Sequence, residues 1–319
     1  MSVATAVIGA GAFGRNHLRI LNQSPNAQLV GVFDIDTARS SAAAAEYRCR
    51  AFSSLEEVAR NAEAVVIATP TSSHAEVGCA LLEAGLDVLI EKPIAPDRAS
   101  AERLIAAAES RDRILQVGHL ERFNPAVQAL GKMITVPLFF EVHRLSVFSP
   151  RSLDVDVVLD LMIHDLDIVL SLTGQQPEEV RAAGISILSA KVDIANVRLA
   201  FPGGCVANLT ASRVSTERVR KLRLFQPSQY ISIDYARQDG AVFSVSDTQQ
   251  IGFLPLPATR DEPLRLEIES FLESVATRRQ PLVSGRDGLA ALDCALVILA
   301  KIEEHSKLVA EQLQPRPSR

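Results

Sequence analysis

Two sets of residues in the 319-residue chain have the types and spacing that proton chemistry requires. The first lies in Val157 to Leu172, VVLDLMIHDLDIVLSL, an apolar stretch that reads as a buried helix. At about 100 degrees per residue, Asp160, His164, Asp167 and Ser171 fall on one narrow stripe, and Asp165 lies off it. Burying an unpaired carboxylate costs several kcal/mol. The stripe therefore meets either water, as the thin solvated seam of an amphipathic helix, or a ligand. An imidazole titrates near neutrality, so His164 is the first candidate for a base that takes a proton from a hydroxyl, with Asp160 beside it to orient and balance charge. No second histidine follows His164 at i+4, which argues against a metal, and none is expected.

The second is Glu91-Lys92-Pro93, which follows the short apolar run Asp87 to Ile90. A lysine between a buried strand and a proline is held by a stiff turn, and the Lys92–Pro93 peptide is a candidate for cis. The alternative is a solvated surface lysine. Lys92 would stabilise a developing alkoxide or share the proton.

These residues need a scaffold, and the N-terminal stretch supplies one. The β-branched run Val3 to Ile8 leads into Gly9-Ala10-Gly11-Ala12-Phe13-Gly14 and then a helical stretch, Arg15 to Asn22. This is G-x-G-x-x-G in strand-turn-helix context, where glycines let the backbone approach a pyrophosphate and the helix N-terminus offers N–H donors. A second apolar run, Gln28 to Phe33, ends in Asp34, 20 residues beyond Gly14, where a carboxylate would accept from the adenosine ribose. A 2'-phosphate would be repelled there, so NAD is expected over NADP, although Arg39 could soften the discrimination. Helices at about 37–48, 54–61, 74–84 and 97–109 alternate with strands 64–68, 87–90 and 114–117, which implies a doubly wound parallel sheet. Ligands sit beyond the carboxyl ends of such strands, where Thr69-Pro70-Thr71, Glu91-Lys92-Pro93 and Gly118-His119 fall. His74 either caps its helix or lies on the surface.

The remainder reads as strands 137–147, 180–188, 192–201, 205–212, 221–225 and 230–234, many alternating apolar with polar, then helices 262–277 and 287–305 and a Pro-rich tail at 314–319 expected to fray. The fold class is α/β, with a dinucleotide-binding Rossmann domain over 1–120. A second α/β domain with an open, mainly antiparallel sheet follows over 121–319, its last helices free to pack back on the first domain.

A formal net charge of -5 and a pI of about 5.8 exclude general attraction to nucleic acid or an anionic membrane, and the acidic chain shows no basic DNA-reading helix, against an NAD-binding repressor. Cys49, Cys79, Cys205 and Cys294 form no C-x-x-C pair, which fits a reducing cytoplasm and neither zinc nor disulfides. No uncharged run is long enough to span a bilayer, for which about 18 residues are needed.

Taken in order, GAGAFG with His17 after it, Asp34, ATPTSSH at 68–74, EKP at 91–93, ERFNP at 121–125 and D-x-x-x-H-x-x-D at Asp160, His164 and Asp167 resemble the Gfo/Idh/MocA oxidoreductases along the whole chain. The resemblance implies an NAD(P)-dependent dehydrogenase. In it, Lys92 is the catalytic lysine by the nicotinamide, His164 the acid/base at the oxidised hydroxyl and Asp160 its neighbour. Arg122 and Asn124 reach substrate, and the open sheet builds a homodimer or homotetramer. Cofactor contacts would come from Gly9, Gly11, Ala12, Phe13, Gly14, Asp34, Arg39, Thr69, Thr71, His74, Glu91 and Lys92. More narrowly, HRLSVFSPRSLDVDVVLDLMIHDLDI and GCVANLTASRVS look like the branch acting on a UDP-linked N-acetylhexosamine at C3, which feeds lipid A precursors. A free sugar or inositol is the alternative substrate. Arg144, Arg151 and Ser152 either hold a diphosphate or sit at a surface or interface.

Overall fold

Strand β1 (Val3–Ile8) is buried almost throughout because both its faces are covered, the condition under which a parallel strand can be uniformly apolar. The computed structural model describes residues 2–148, 155–246 and 248–313. The chain forms two units, residues 1–123 with 262–292 and residues 124–261 with 293–319.

In the first unit β1 is followed by α1 (Ala12–Gln23), β2 (Ala27–Phe33), α2 (Thr37–Tyr47), β3 (Arg50–Ala51), α3 (Leu55–Asn61), β4 (Ala64–Ile67), α4 (His74–Glu83), β5 (Asp87–Glu91), α5 (Arg98–Ser110) and β6 (Leu115–Gly118). The strands pair in parallel in the order β3-β2-β1-β4-β5-β6. The connections reverse direction between β1 and β4, which opens the crevice at their carboxyl ends. Capping begins three helices: Asp36 accepts from the N–H groups of Ala38 and Arg39, Ser54 from Glu57 and Asp97 from Ser100. Helix α8 (Pro263–Thr277) returns to this unit and adds Ile268, Phe271 and Leu272 to the core around β1 and α1. The start of α9 (Gly285–Leu313) presses on β6, where a Cβ at Gly285 would meet Leu115 at 2.8 Å and one at Gly288 would meet Val117 at 2.7 Å.

The second unit holds α6 (Pro125–Gly131), β7 (Phe139–Val147), a π-helical turn at Val158–Met162 continuing into α7 (Ile163–Thr173), β8 (Glu179–Ile185), β9 (Ile194–Ala200), β10 (Val206–Ser215), β11 (Val219–Gln226), β12 (Gln229–Asp234), β13 (Asp239–Val245) and β14 (Ile251–Pro255). Its sheet runs β14-β13-β12-β11-β7-β10-β9-β8, antiparallel except where β7 meets β10. One face is buried through Phe140, Val142, Leu222, Leu224, Ile231, Ile233 and Val242. On the other, Phe139, Phe225, Tyr230, Phe243 and Phe253 form a ladder of ring contacts with centroids 4.8–5.7 Å apart.

Several elements differ from those the sequence predicts, among them the short β3 and α6, for which no element is expected. The stretch expected as one α-helix from Val157 opens with the π turn. Strands β13 and β14 were not anticipated, and α9 is longer at both ends than the expected 287–305. The tail at 314–319 lies outside the described residues.

Candidate active site

The glycine turn is shaped for backbone approach. Gly9 has φ +98, in the left-handed region open to glycine, and a Cβ there would lie 2.5 Å from the Ala68 carbonyl oxygen. At Gly14 a Cβ would lie 1.8 Å from the Gly9 oxygen, so this glycine lets α1 start directly over β1. Gly11 differs: a Cβ meets nothing within 4 Å among the described residues. It faces open space at the N-terminus of a 12-residue helix whose first turn has no acidic residue and whose N-cap supplies no side-chain acceptor. That is a cradle for an anionic group. These features fit a dinucleotide pyrophosphate.

At the end of β2, Asp34 is fixed by two backbone donors, Ala10 N–H to Oδ2 at 2.7 Å and Asp36 N–H to Oδ1 at 2.8 Å. The next residue, Ile35, is 93% exposed, and Phe13 in the glycine turn is 55% exposed. Such apolar surface beside a carboxylate suits a purine and its ribose. Ile35 escaped the sequence reading, although an aliphatic side chain between two aspartates just after a strand was the available signal. Arg39 is exposed and turned to Asp36 at 3.1 Å. After β4, Thr69 accepts from the Ser73 hydroxyl at 2.9 Å, and Thr71 opens a 3₁₀ turn over Thr71–Ser73.

Lys92 is half-buried at the end of β5 and its bond to Pro93 is cis. Glu91 accepts from His17 Nε2 at 2.7 Å and from the Lys92 backbone N–H at 3.3 Å, so the turn that carries the lysine is tied down on its near side. His74, expected as a cap, a surface residue or a cofactor contact, is 1% exposed instead. Its Nδ1 lies 2.9 Å from the Pro93 carbonyl and its Nε2 3.0 Å from that of Thr69. It braces two strand-end loops together. Burial lowers its pKa and outweighs the carbonyls that would raise it, so the ring is neutral and serves one contact at a time as donor. His119, at the end of β6, is fully buried, and burial followed by the charges of Lys92 and Arg122 holds its pKa at about 3. Arg122 donates to the Leu282 carbonyl at 3.2 Å.

In the second unit, Asp160 lies in the π turn and His164 in the first turn of α7, both partly exposed, with Asp167 buried and Ser171 exposed further along. A π turn holds more residues than an α turn and widens the local spacing, which a uniform 100 degrees per residue does not capture. Asp165, the carboxylate off the stripe, is the one locked inside. Its two oxygens accept from Arg144 Nε at 2.7 Å and Nη2 at 2.9 Å, and both side chains are at most 2% exposed. The guanidinium lies 5.1 Å from the Tyr235 ring centroid. Arg144 is thus a buried brace, where the sequence reading offered a diphosphate ligand or a surface residue. The signal was present, because Arg144 shares its strand parity with the inward Phe140 and Val142. Asn124, expected to reach substrate, is 2% exposed, caps α6 through its Oδ1 and donates to the Tyr235 carbonyl at 3.0 Å. Arg151 and Ser152 lie outside the described residues.

Comparison with known proteins places this geometry. The profile of the oxidoreductase family with an NAD-binding Rossmann fold matches residues 3–119, and that of the GFO/IDH/MocA C-terminal domain matches residues 127–226. Over 309 residues the chain is 40% identical to the UDP-N-acetylglucosamine 3-dehydrogenase of Acidithiobacillus ferrooxidans, covering 94% of this chain and 97% of that protein.

The chain belongs to the Gfo/Idh/MocA oxidoreductase family.

A crystal structure of the Acidithiobacillus enzyme superposes with a TM-score of 0.91 at 38% identity, covering 95% of this chain and 99% of that one. The inositol 2-dehydrogenase of Rhizobium meliloti is 27% identical, with 97% and 99% covered. The myo-inositol 2-dehydrogenase of Lactobacillus plantarum shares the fold at a TM-score of 0.81 and 20% identity, with 96% and 98% covered. As a Gfo/Idh/MocA member the chain is an NAD-binding oxidoreductase acting on CH–OH. No helix among the described residues is long and apolar enough to cross a membrane.

Proposed function

We propose that this Gfo/Idh/MocA protein oxidises the C3 hydroxyl of UDP-N-acetylglucosamine to the 3-oxo sugar, with NAD preferred over NADP. The observation that carries the reading is 40% identity, spread over 94% of the chain, to an enzyme named for that reaction. The inositol dehydrogenases stand further off, at 27% for one of full-length match. When bound, NAD supplies the acceptor for the hydride leaving C3. His164 takes the O3 proton as general base, and its partly exposed ring gives that proton a way to solvent. Asp160 orients the imidazole and balances the charge it gains. Lys92, on the tied-down turn after β5, stabilises the developing alkoxide by its ammonium charge. General-base assistance of this kind is worth about 10²- to 10⁴-fold in rate. The likeness also supports a cytoplasmic homo-oligomer, and a 3-oxo amino sugar suits a following amination of the kind that leads to diamino lipid A precursors.

The test is NADH absorbance with NAD and a panel of UDP-N-acetylglucosamine, free N-acetylglucosamine, glucose and myo-inositol. Turnover confined to the nucleotide sugar supports the proposal; turnover on inositol in its place overturns the substrate. His164→Ala and Lys92→Ala should each lose at least about 100-fold in kcat while NADH affinity stays within a small factor. Normal turnover in both would remove the assigned roles.

A further inference from the structure

The first unit buries a group of ionisable side chains that the proposed chemistry does not use. Glu267 projects from α8 and is 1% exposed, and among the described residues neither of its carboxyl oxygens has a hydrogen-bond partner. One polar atom each from Glu267, Glu91 and His17 lie within 4.8 Å of one another. Gly118 leaves room for the Glu91 carboxyl, since a Cβ there would come within 3.2 Å of Oε2. The elements around α8 bring His17 from α1, Glu91 from β5, and His119, Glu121 and Arg122 from the segment that ends β6 and follows it. Arg15 and Arg19 of α1 are turned to Glu46 and Glu262.

Two ionised carboxylates at this separation repel by about 3 kcal/mol even at an effective dielectric of about 20, and each also bears a desolvation cost. One proton between them removes the repulsion. Glu91 has two donors, His17 Nε2 and the Lys92 N–H. Glu267 has none. Two buried acceptors lack a donor among the described residues, His17 Nδ1 and the Oε1 of Gln116, whose amide nitrogen donates to the Glu267 carbonyl. A metal ion suits the group less well, because His17 Nε2 is already committed to Glu91 at 2.7 Å.

We infer that Glu267 is a neutral carboxylic acid at neutral pH, that it and Glu91 together carry one negative charge, and that it is a positioning residue for the Glu91–Lys92–Pro93 turn. Burial, and then the charge of Glu91, push its pKa well above the ordinary carboxyl range. The protonation stands independently of the proposed activity; the positioning role rests on that activity and on Lys92 acting in it.

The experiment compares wild type with Glu267→Gln, which keeps shape and neutrality, and Glu267→Ala. Infrared difference spectra at neutral pH should show the carbonyl stretch of a protonated acid in wild type, shifted in D₂O and absent from Glu267→Gln. The folded pKa exceeds the unfolded one, so the contribution of the acid to stability is complete below about pH 4.5 and is lost as pH rises. Between about pH 6 and about pH 9 the unfolding constant of wild type should therefore grow relative to that of Glu267→Gln, by up to about tenfold per pH unit while the acid stays protonated. Glu267→Ala should lower kcat at least tenfold with NADH affinity kept, and Glu267→Gln should restore it to within about threefold. A missing acid band, or a Glu267→Gln protein that is less stable than wild type at alkaline pH, would overturn the protonation. So would a stoichiometric divalent cation whose chelation lowers the Tm of wild type alone. Should wild type turn over no sugar, the infrared and stability arms still decide the protonation, and the failure belongs to the proposed function.

Discussion

Single residues carry the cofactor argument, and glycines divide the labour. Gly11 faces open space and Gly14 faces the Gly9 oxygen at 1.8 Å, so alanine at the two positions should fail differently. Gly11→Ala should fold with a Tm within a few degrees of wild type and lose NADH binding by at least about tenfold, since its methyl fills the space the pyrophosphate needs. Gly14→Ala should destabilise the fold itself, by about 1–3 kcal/mol or more, because helix and strand must part. Thermal unfolding together with NADH titration separates the two, and equal effects on both readouts would contradict the cradle. Asp34 is held by two backbone N–H groups at 2.7 and 2.8 Å, so its charge is fixed in place. Asp34→Ala should weaken NAD and narrow the preference against NADP. Comparative titration of the two cofactors checks this, and an unchanged preference would show that Asp34 does not face the ribose. Both positions were legible, because glycine and carboxylate spacing is written along the chain. The meeting of His17 with Glu267 was not, the two being 250 residues apart in sequence, and nothing local in α8 marks Glu267 beyond one acid among apolar neighbours.

At the scale of elements, the first unit was readable nearly strand for strand, since buried parallel strands appear as short apolar runs with capped helices between them. The second unit was readable in its central strands. Strand β14, IGFLP, is exposed at every position and ends in proline, so it lacks the alternation that marks a half-buried strand. The stretch 157–172 shows a different limit. Its composition is helical and does not mark the π turn, and the helix that follows packs on β7. The Arg144–Asp165 pair is part of that packing: a bidentate ion pair, at most 2% exposed, between β7 and α7. Removing one partner of a buried pair leaves the other charge uncompensated, at about 3–5 kcal/mol. Asp165→Ala should therefore lower stability by that order, measured by urea unfolding, and Arg144→Met with Asp165→Leu should recover most of the loss. Recovery of nothing would mean that the pair does more than brace its two elements.

For the whole molecule, the unsettled surface is the outer face of the eight-stranded sheet. Cross-strand partners put Phe139, Phe225, Tyr230, Phe243 and Phe253 in one row across β7, β11, β12, β13 and β14, and Val245, Ile251 and Phe253 are 45%, 78% and 60% exposed. Soluble monomers rarely leave contiguous apolar patches of more than a few hundred Å² open to water. An aromatic row on an open sheet can be covered by the same row of a second copy across a two-fold axis, which makes one patch self-complementary. Charge at its centre should then prevent association without touching the buried face of the sheet or the glycine turn. Phe243→Glu with Phe253→Glu should shift the mass measured by sedimentation equilibrium from a dimer or tetramer to a smaller species, with NADH affinity retained. A wild-type protein that sediments as a monomer at micromolar concentration would leave the aromatic row without a partner copy.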